Sequence, residues 1–323
     1  MIANEKALQG AKKMLLQCMG AKPGEKVLIV CDEKKIEVAQ SFAIAGWEEG
    51  LDLAMMVGRS QTKGDVPALV AKAMLEADVE LIITSMSYSH TKARSAATEA
   101  GARIATMPLL TEEIAEKYLN ADYEEIGRRS RCLEVMLNKA STARVTTKHG
   151  TDITLGINGR VAMADTGSLL TRGAFGNLPA GEGLIAPLED QANGVFVMQP
   201  GDCIAYMGYV KDTVTMTVKD GRIVSIDGGV TAREYRDFLK DKDEEATGIA
   251  ELGIGTNPTA KLIGHPLLDE KVMGTVHIAF GNSAFFGGKR ISNIHVDCII
   301  RDATLFLDSE CVIKEGEHIY AIK

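Results

Sequence analysis

The strongest constraint on this chain is an alternation, up to about residue 140, of short unbroken apolar runs with longer amphipathic ones. Leu8, Ala11, Met14, Leu15 and Cys18 recur at helical spacing until Gly20 and Pro23-Gly24 end the pattern. Lys26 to Cys31 then reads as a strand. Val38, Phe42 and Ala45 share one helical face, closed by Gly50 ahead of a second strand from Leu51 to Val57. Asp65 and Pro67 open a helix carrying Leu69, Val70, Ala73, Met74 and Ala77. Leu81–Thr84 and Arg103–Met107 follow as strands, and Tyr123–Ala140 as a helix with Ile126, Leu133 and Leu137 inward. Strands apolar throughout must be covered on both faces, so this half is expected to be a doubly wound parallel-sheet domain.

From about residue 141 the pattern changes. Val145–Gly150 and Thr151–Leu155 read as a hairpin, and Thr213–Val218 and Arg222–Ile226 flank Asp220-Gly221, a two-residue hairpin turn. Val276 to Ala321 is mostly strand-like. At 323 residues the chain is long enough for about two domains. The expected organisation is an α/β chain: a Rossmann-like domain over 1–140 and an α+β domain over 141–323 with a mainly antiparallel sheet.

Composition excludes several classes. With 36 Lys+Arg against 44 Asp+Glu, a net charge of −8 argues against nucleic acid as a partner. No apolar run approaches the roughly 18–20 residues of a membrane span. Glu5, Lys6, Lys12 and Lys13 interrupt any signal-peptide core. The six cysteines form no Cys-x-x-Cys pair, which fits buried, reduced thiols and a cytoplasmic protein. The first strand-to-helix turn, Cys31 to Ile36, has no glycine and two adjacent acids, so a dinucleotide site is not expected in the first domain. Nor is there a Walker loop, an H-E-x-x-H helix or a G-x-S-x-G elbow.

What remains is a set of acids and histidines in the second half. In Asn293–Cys298, His295 and Asp297 stand two apart on a strand and leave the same face, while Ile294, Val296 and Cys298 take the other. His277 lies in the strand-like run Gly274–Gly281. Glu182 ends Gly176–Glu182 and Glu251 opens Glu251–Pro258, each beside glycines and prolines that can hold an irregular backbone close to a bound group.

The runs Asn177–Glu182, Glu251–Pro258, Gly274–Gly281 and His295–Asp297, in this order, resemble the metal-binding segments of the aminopeptidase T and aminopeptidase S family. That family comprises cytoplasmic, usually dimeric metallopeptidases with two co-catalytic divalent ions. The resemblance spans roughly residues 145 to 310. It implies that Glu182, Glu251, His277, His295 and Asp297 are ligands, with Glu251 bridging two Zn, Co or Mn ions and Glu182 and Glu251 serving catalysis. Three carboxylates and two imidazoles without a thiolate suit such ions, which activate a water and polarise a peptide carbonyl.

Departures stand beside it. The family's tyrosine seven residues after the first metal-binding histidine is Ala284 here, and its Glu-Val-Ala-Leu-like segment is Glu251-Leu-Gly-Ile-Gly255. The chain looks like a shorter branch, similar to the 2,5-dihydroxypyridine 5,6-dioxygenases, which use one Fe(II) held by two histidines and an aspartate. His277, His295 and Asp297 would then be the triad. His90, in Ser87–Thr91 after the third strand, becomes a candidate base or substrate contact, and Arg172 a weaker candidate for a substrate carboxylate.

Because all five candidate ligands are present, the sequence favours an aminopeptidase-like metallohydrolase acting on peptides, with homodimerisation implied by resemblance. The alternatives are the mononuclear Fe(II) dioxygenase on an aromatic small molecule, and a non-catalytic metal- or small-molecule-binding protein.

Overall fold

The structure, a computed structural model, describes residues 4–61 and 64–322. It divides into two compact units, Met1–Tyr123 with Gly167–Ala180, and Glu124–Thr166 with Gly181–Lys323. The sequence pattern put the boundary at 140/141. The difference lies in the helix Tyr123–Lys139, whose Leu133 and Leu137 join the core of the second unit, and in residues 167–180, which return to the first.

The first unit is built on a parallel sheet of order β2-β1-β3-β4-β8, with β1 Lys26–Asp32, β2 Asp52–Gly58, β3 Val79–Ile83, β4 Arg103–Thr106 and β8 Phe175–Asn177. Its helices are α1 Glu5–Lys13, continued by a π-helical turn over Met14–Cys18, α2 Ile36–Glu48, α3 Ala68–Met74, α4 Lys92–Ala100 and α5 Glu112–Tyr118. Leu28, Val30, Ile82 and Ile104 on one sheet face pack against Val70 and Met74 of α3 and Ala93 and Ala97 of α4. Ile29, Leu81 and Ala105 alternate to the other face and are fully buried. Both faces are thus covered, as the unbroken apolar strands require.

The second unit opens with α6 (Tyr123–Lys139) and holds two sheets. One has eight strands in the order β14-β13-β10-β6-β5-β18-β19-β20: β5 Thr142–Thr146, β6 Asp152–Gly156, β10 Ala192–Met198, β13 Val214–Lys219, β14 Arg222–Gly228, β18 Thr304–Leu307, β19 Glu310–Lys314 and β20 Glu317–His318. The other has seven in the order β12-β11-β17-β16-β15-β9-β7: β7 Met163–Asp165, β9 Glu182–Ile185, β11 Cys203–Ile204, β12 Gly208–Tyr209, β15 Ile249–Gly255, β16 Val276–Gly281 and β17 His295–Ile300. All named pairings in both are antiparallel. Asp220 (φ 48°) and Gly221 (φ 72°) make the expected turn between β13 and β14. One apolar core joins the two sheets, α6 and helix α7 (Val230–Leu239), with Phe196, Tyr235, Leu252, Ile254, Ile278, Phe280, Val296 and Cys298 among its buried members. Among the described residues no helix is long and apolar enough to cross a membrane.

Candidate metal centre

The seven-stranded sheet has one apolar face and one polar face. Leu252, Ile254, Ile278, Phe280, Val296 and Cys298 turn into the core. Residues directly opposite in an antiparallel ladder share a face. The register Glu182↔Gly255, Gly253↔His277, Glu251↔Ala279↔Asp297 and Gly281↔His295 therefore puts all five sequence-predicted ligands on the other face, on four neighbouring strands. Leu184 and Ile299 share that face, opposite Gly253 and His277, and the other positions among the five are Gly253, Gly255, Ala279 and Gly281. These small residues leave the volume above the sheet to the ligands. The departure at Gly253 has its reason here: a Cβ at this position would lie 2.0 Å from His277 Nε2, so the imidazole rests on bare backbone.

Within this array Glu251 is central, level with Asp297 across Ala279. Its Oε1 lies 3.5 Å from His277 Nε2 and its Oε2 3.1 Å from His295 Nε2. His295 Nε2 is 3.3 Å from Asp297 Oδ1, and His277 Nε2 is 3.3 Å from Glu182 Oε2. Ligand atoms lie within 4.8 Å of one another in three sets: Glu182, Glu251 and His277; Glu251, His295 and Asp297; and Glu270, His277 and Asp297. His277 and His295 fall in different sets, yet each shares a set with Asp297 and each points its Nε2 at the Glu251 carboxylate.

Burial and charge work against each other throughout. Burial disfavours ionisation of Glu251, but the neighbouring imidazoles of His277 and His295 outweigh it and hold the carboxyl below its usual range. Burial likewise opposes ionisation of Asp297, and the His295 charge more than offsets this, holding the carboxyl well below normal. His295 is raised well above 6.5, the carboxylates of Asp297 and Glu251 overcoming burial. Glu182 is pushed up to about 7 by burial, against the pull of Lys271 and His277.

The donor set fits a divalent cation. Glu182 Oε2, Asp297 Oδ1 and both ring nitrogens of His277 are buried without a hydrogen bond of good geometry, a state that a bound cation relieves. His295 Nδ1 donates to the Asn282 carbonyl at 2.8 Å, which leaves Nε2 as the ligating atom. Two donors each about 2.1 Å from one ion stand roughly 3 Å apart at right angles, close to the spacings at His295.

Two further residues escaped the sequence pattern. Glu270 and Lys271 belong to a 3-10 turn, Asp269–Lys271, between β15 and β16. Lys271 is buried and pairs with Glu182, Glu270 and Asp165. The pair looks like an ordinary solvated charge run; the signal that distinguishes it is Gly255, which lets that turn lie on the sheet. A Cβ there would sit 2.0 Å from the Val272 carbonyl oxygen.

The remaining candidates lie elsewhere. His90 is exposed in the first unit, one residue before Thr91, the N-cap of α4. Arg172, also in the first unit, donates from Nη2 to the Ala100 carbonyl at 2.8 Å and so caps the C-terminal end of α4. Ala284 starts a short exposed turn, Ala284–Phe286, in which Phe286 stands 5.2 Å from the His295 ring.

Comparison with known proteins shows the family to which the chain belongs. A family model described as NicX, 2,5-dihydroxypyridine 5,6-dioxygenase, matches residues 7–320. The chain belongs to that family. It is also 27% identical over 279 residues to the 2,5-dihydroxypyridine 5,6-dioxygenase of Pseudomonas putida, covering 83% of this chain and 78% of that protein. The solved structure of the 2,5-dihydroxypyridine dioxygenase from Pseudomonas putida KT2440 superposes with a TM-score of 0.85 at 22% identity, covering 99% of each chain. Wild-type AmpT, aminopeptidase T, from Thermus thermophilus superposes at 0.72 and 17% identity, covering 98% of this chain and 99% of that one. The aminopeptidase resemblance therefore holds for the fold. Membership in the NicX family overturns the expectation of a peptide hydrolase. The five ligand types misled because a carboxylate–histidine cluster on this sheet is compatible with either chemistry; Ala284 in place of the peptidase tyrosine was the better guide.

Proposed function

We propose that the chain is a ring-cleaving dioxygenase that opens a dihydroxypyridine-type ring between carbons 5 and 6 with one ferrous ion. The observation that carries this proposal is the family match from residue 7 to residue 320. Glu251, His295 and Asp297 would hold the ion, offering one imidazole and two carboxylates on one face of the sheet. Such a hard-to-borderline set suits Fe(II). When bound, ferrous iron supplies the redox contact between an electron-rich ring and O₂, with coordination positions open to both.

The protein's own groups do the rest. The Asn282 carbonyl holds the His295 imidazole in the tautomer that presents Nε2. Phe286 leans on the same ring, its plane tilted 46°. Glu251, His277 and Asp297 are buried, so their charges act through a medium less polar than water, which strengthens their electrostatic effect. Glu182 Oε2 and His277 Nε2, 3.3 Å apart, are a pair able to hold a proton beside the ion.

The test is direct. Protein loaded with Fe(II) under anaerobic conditions should bleach the ring absorbance of 2,5-dihydroxypyridine once air is admitted. Asp297→Asn and His295→Ala should each lose iron retention and at least about 100-fold in turnover. Turnover that survives complete removal of iron by a chelator would sink the assignment.

A further inference from the structure

Three carboxylates outside the Glu251–His295–Asp297 set converge on a single ammonium. Lys271 Nζ lies 2.7 Å from Glu270 Oε1 and 3.2 Å from Asp165 Oδ2, and it also pairs with Glu182 Oε1. The side chain is 2% exposed. An ammonium so far from water is tolerated only where opposite charges surround it. Two of its partners have a second allegiance: Glu182 is grouped with Glu251 and His277, and Glu270 with His277 and Asp297. These are the carboxylates that a second ion beside His277 would need.

We infer that Lys271 is the resident cation of this second pocket, taking up Glu182, Glu270 and Asp165 and restricting the centre to one divalent ion. The backbone is built to deliver it. Gly255 lets the Lys271–Val272 backbone lie against β15, and Asn257 N–H donates to the Lys271 carbonyl at 2.9 Å. Asp165 reaches the same ammonium from edge strand β7, where it pairs opposite Glu182. Lysine brings one charge and three donors where a metal ion would bring two charges and open coordination positions. The pocket is thereby neutralised in part without becoming a second Lewis-acid site. This inference rests on the proposed metal centre but not on the identity of its substrate.

Metal stoichiometry tests it without turnover. The wild-type chain is dialysed anaerobically against Co(II), and bound metal is counted by elemental analysis alongside the Co(II) absorption spectrum. One ion per chain is expected for wild type and for Lys271→Arg, which keeps the charge. Two are expected for Lys271→Met, which keeps the length and loses the charge. If Lys271→Met does not fold, its combination with Asp165→Asn, which leaves one fewer uncompensated carboxylate and keeps Glu182 and Glu270, carries the same two-ion expectation. Two ions in wild type, or a folded methionine variant that still takes one, would overturn the inference. Ring cleavage by a two-ion wild type would leave the dioxygenase assignment standing while removing this one. A one-ion protein inert toward the ring would do the reverse.

Discussion

At the scale of single residues, the centre depends as much on absent side chains as on present ones. Gly253 is the clearest case, since His277 lies over it. Gly253→Ala should displace the imidazole, cost about 1–3 kcal/mol of stability as an overpacked site does, and weaken metal retention. Thermal denaturation with and without metal checks this; an unchanged melting midpoint together with unchanged metal affinity would contradict it. That the five candidate side chains share one face was legible in part, because chemistry restricts their type and strand period restricts their face. His295 and Asp297 could be assigned to one face from their spacing alone. Glu270 and Lys271 could not, because an acid–lysine pair in a loop carries no periodicity, and its burial depends on a close approach that only the folded backbone shows. The meeting of His277 and His295 on Glu251 was equally invisible, since sequence gives strand face but not ladder level.

At the scale of elements, the alternating pattern of the first half yields β1 to β4 with boundaries shifted by only a few residues. The strand Phe175–Asn177 was not foreseen: three residues between glycines and a proline are too short to show a period. Strand β3 carries a feature of its own. Glu80 is fully buried on the α3/α4 face, opposite Leu28 and Ile104, and neither carboxyl oxygen has a partner. Burial pushes this carboxyl up to about 8. The folded state therefore binds the proton more tightly than the unfolded one. Glu80's contribution is complete below the unfolded range near 4.5 and falls, by about 1.4 kcal/mol per pH unit, as pH rises toward about 8. Glu80→Gln should match wild type most closely near pH 5 and be the more stable by a few kcal/mol at pH 8.5. Chemical denaturation at the two pH values measures it, and a difference independent of pH would be inconsistent with a buried neutral acid.

At the scale of the whole molecule, a single fold serves two chemistries. The chain superposes on a dihydroxypyridine dioxygenase and on an aminopeptidase T, and it belongs to the family of the former. Sheet order and register set where ligands can stand, while the ligand set and its neighbouring charges set what is held there. In this chain Glu251, at the middle of the array, faces His295 and Asp297 on one side and a pocket already occupied by a lysine on the other. The chemistry proposed for that centre is insertion of both atoms of O₂ into an aromatic ring. The measurement that tests it most directly is product labelling under ¹⁸O₂, with protein loaded with Fe(II) and given 2,5-dihydroxypyridine. One O₂ is expected to be consumed per ring opened, with both labelled atoms in the product. Ring opening without O₂ uptake, or product oxygen drawn from water, would contradict it.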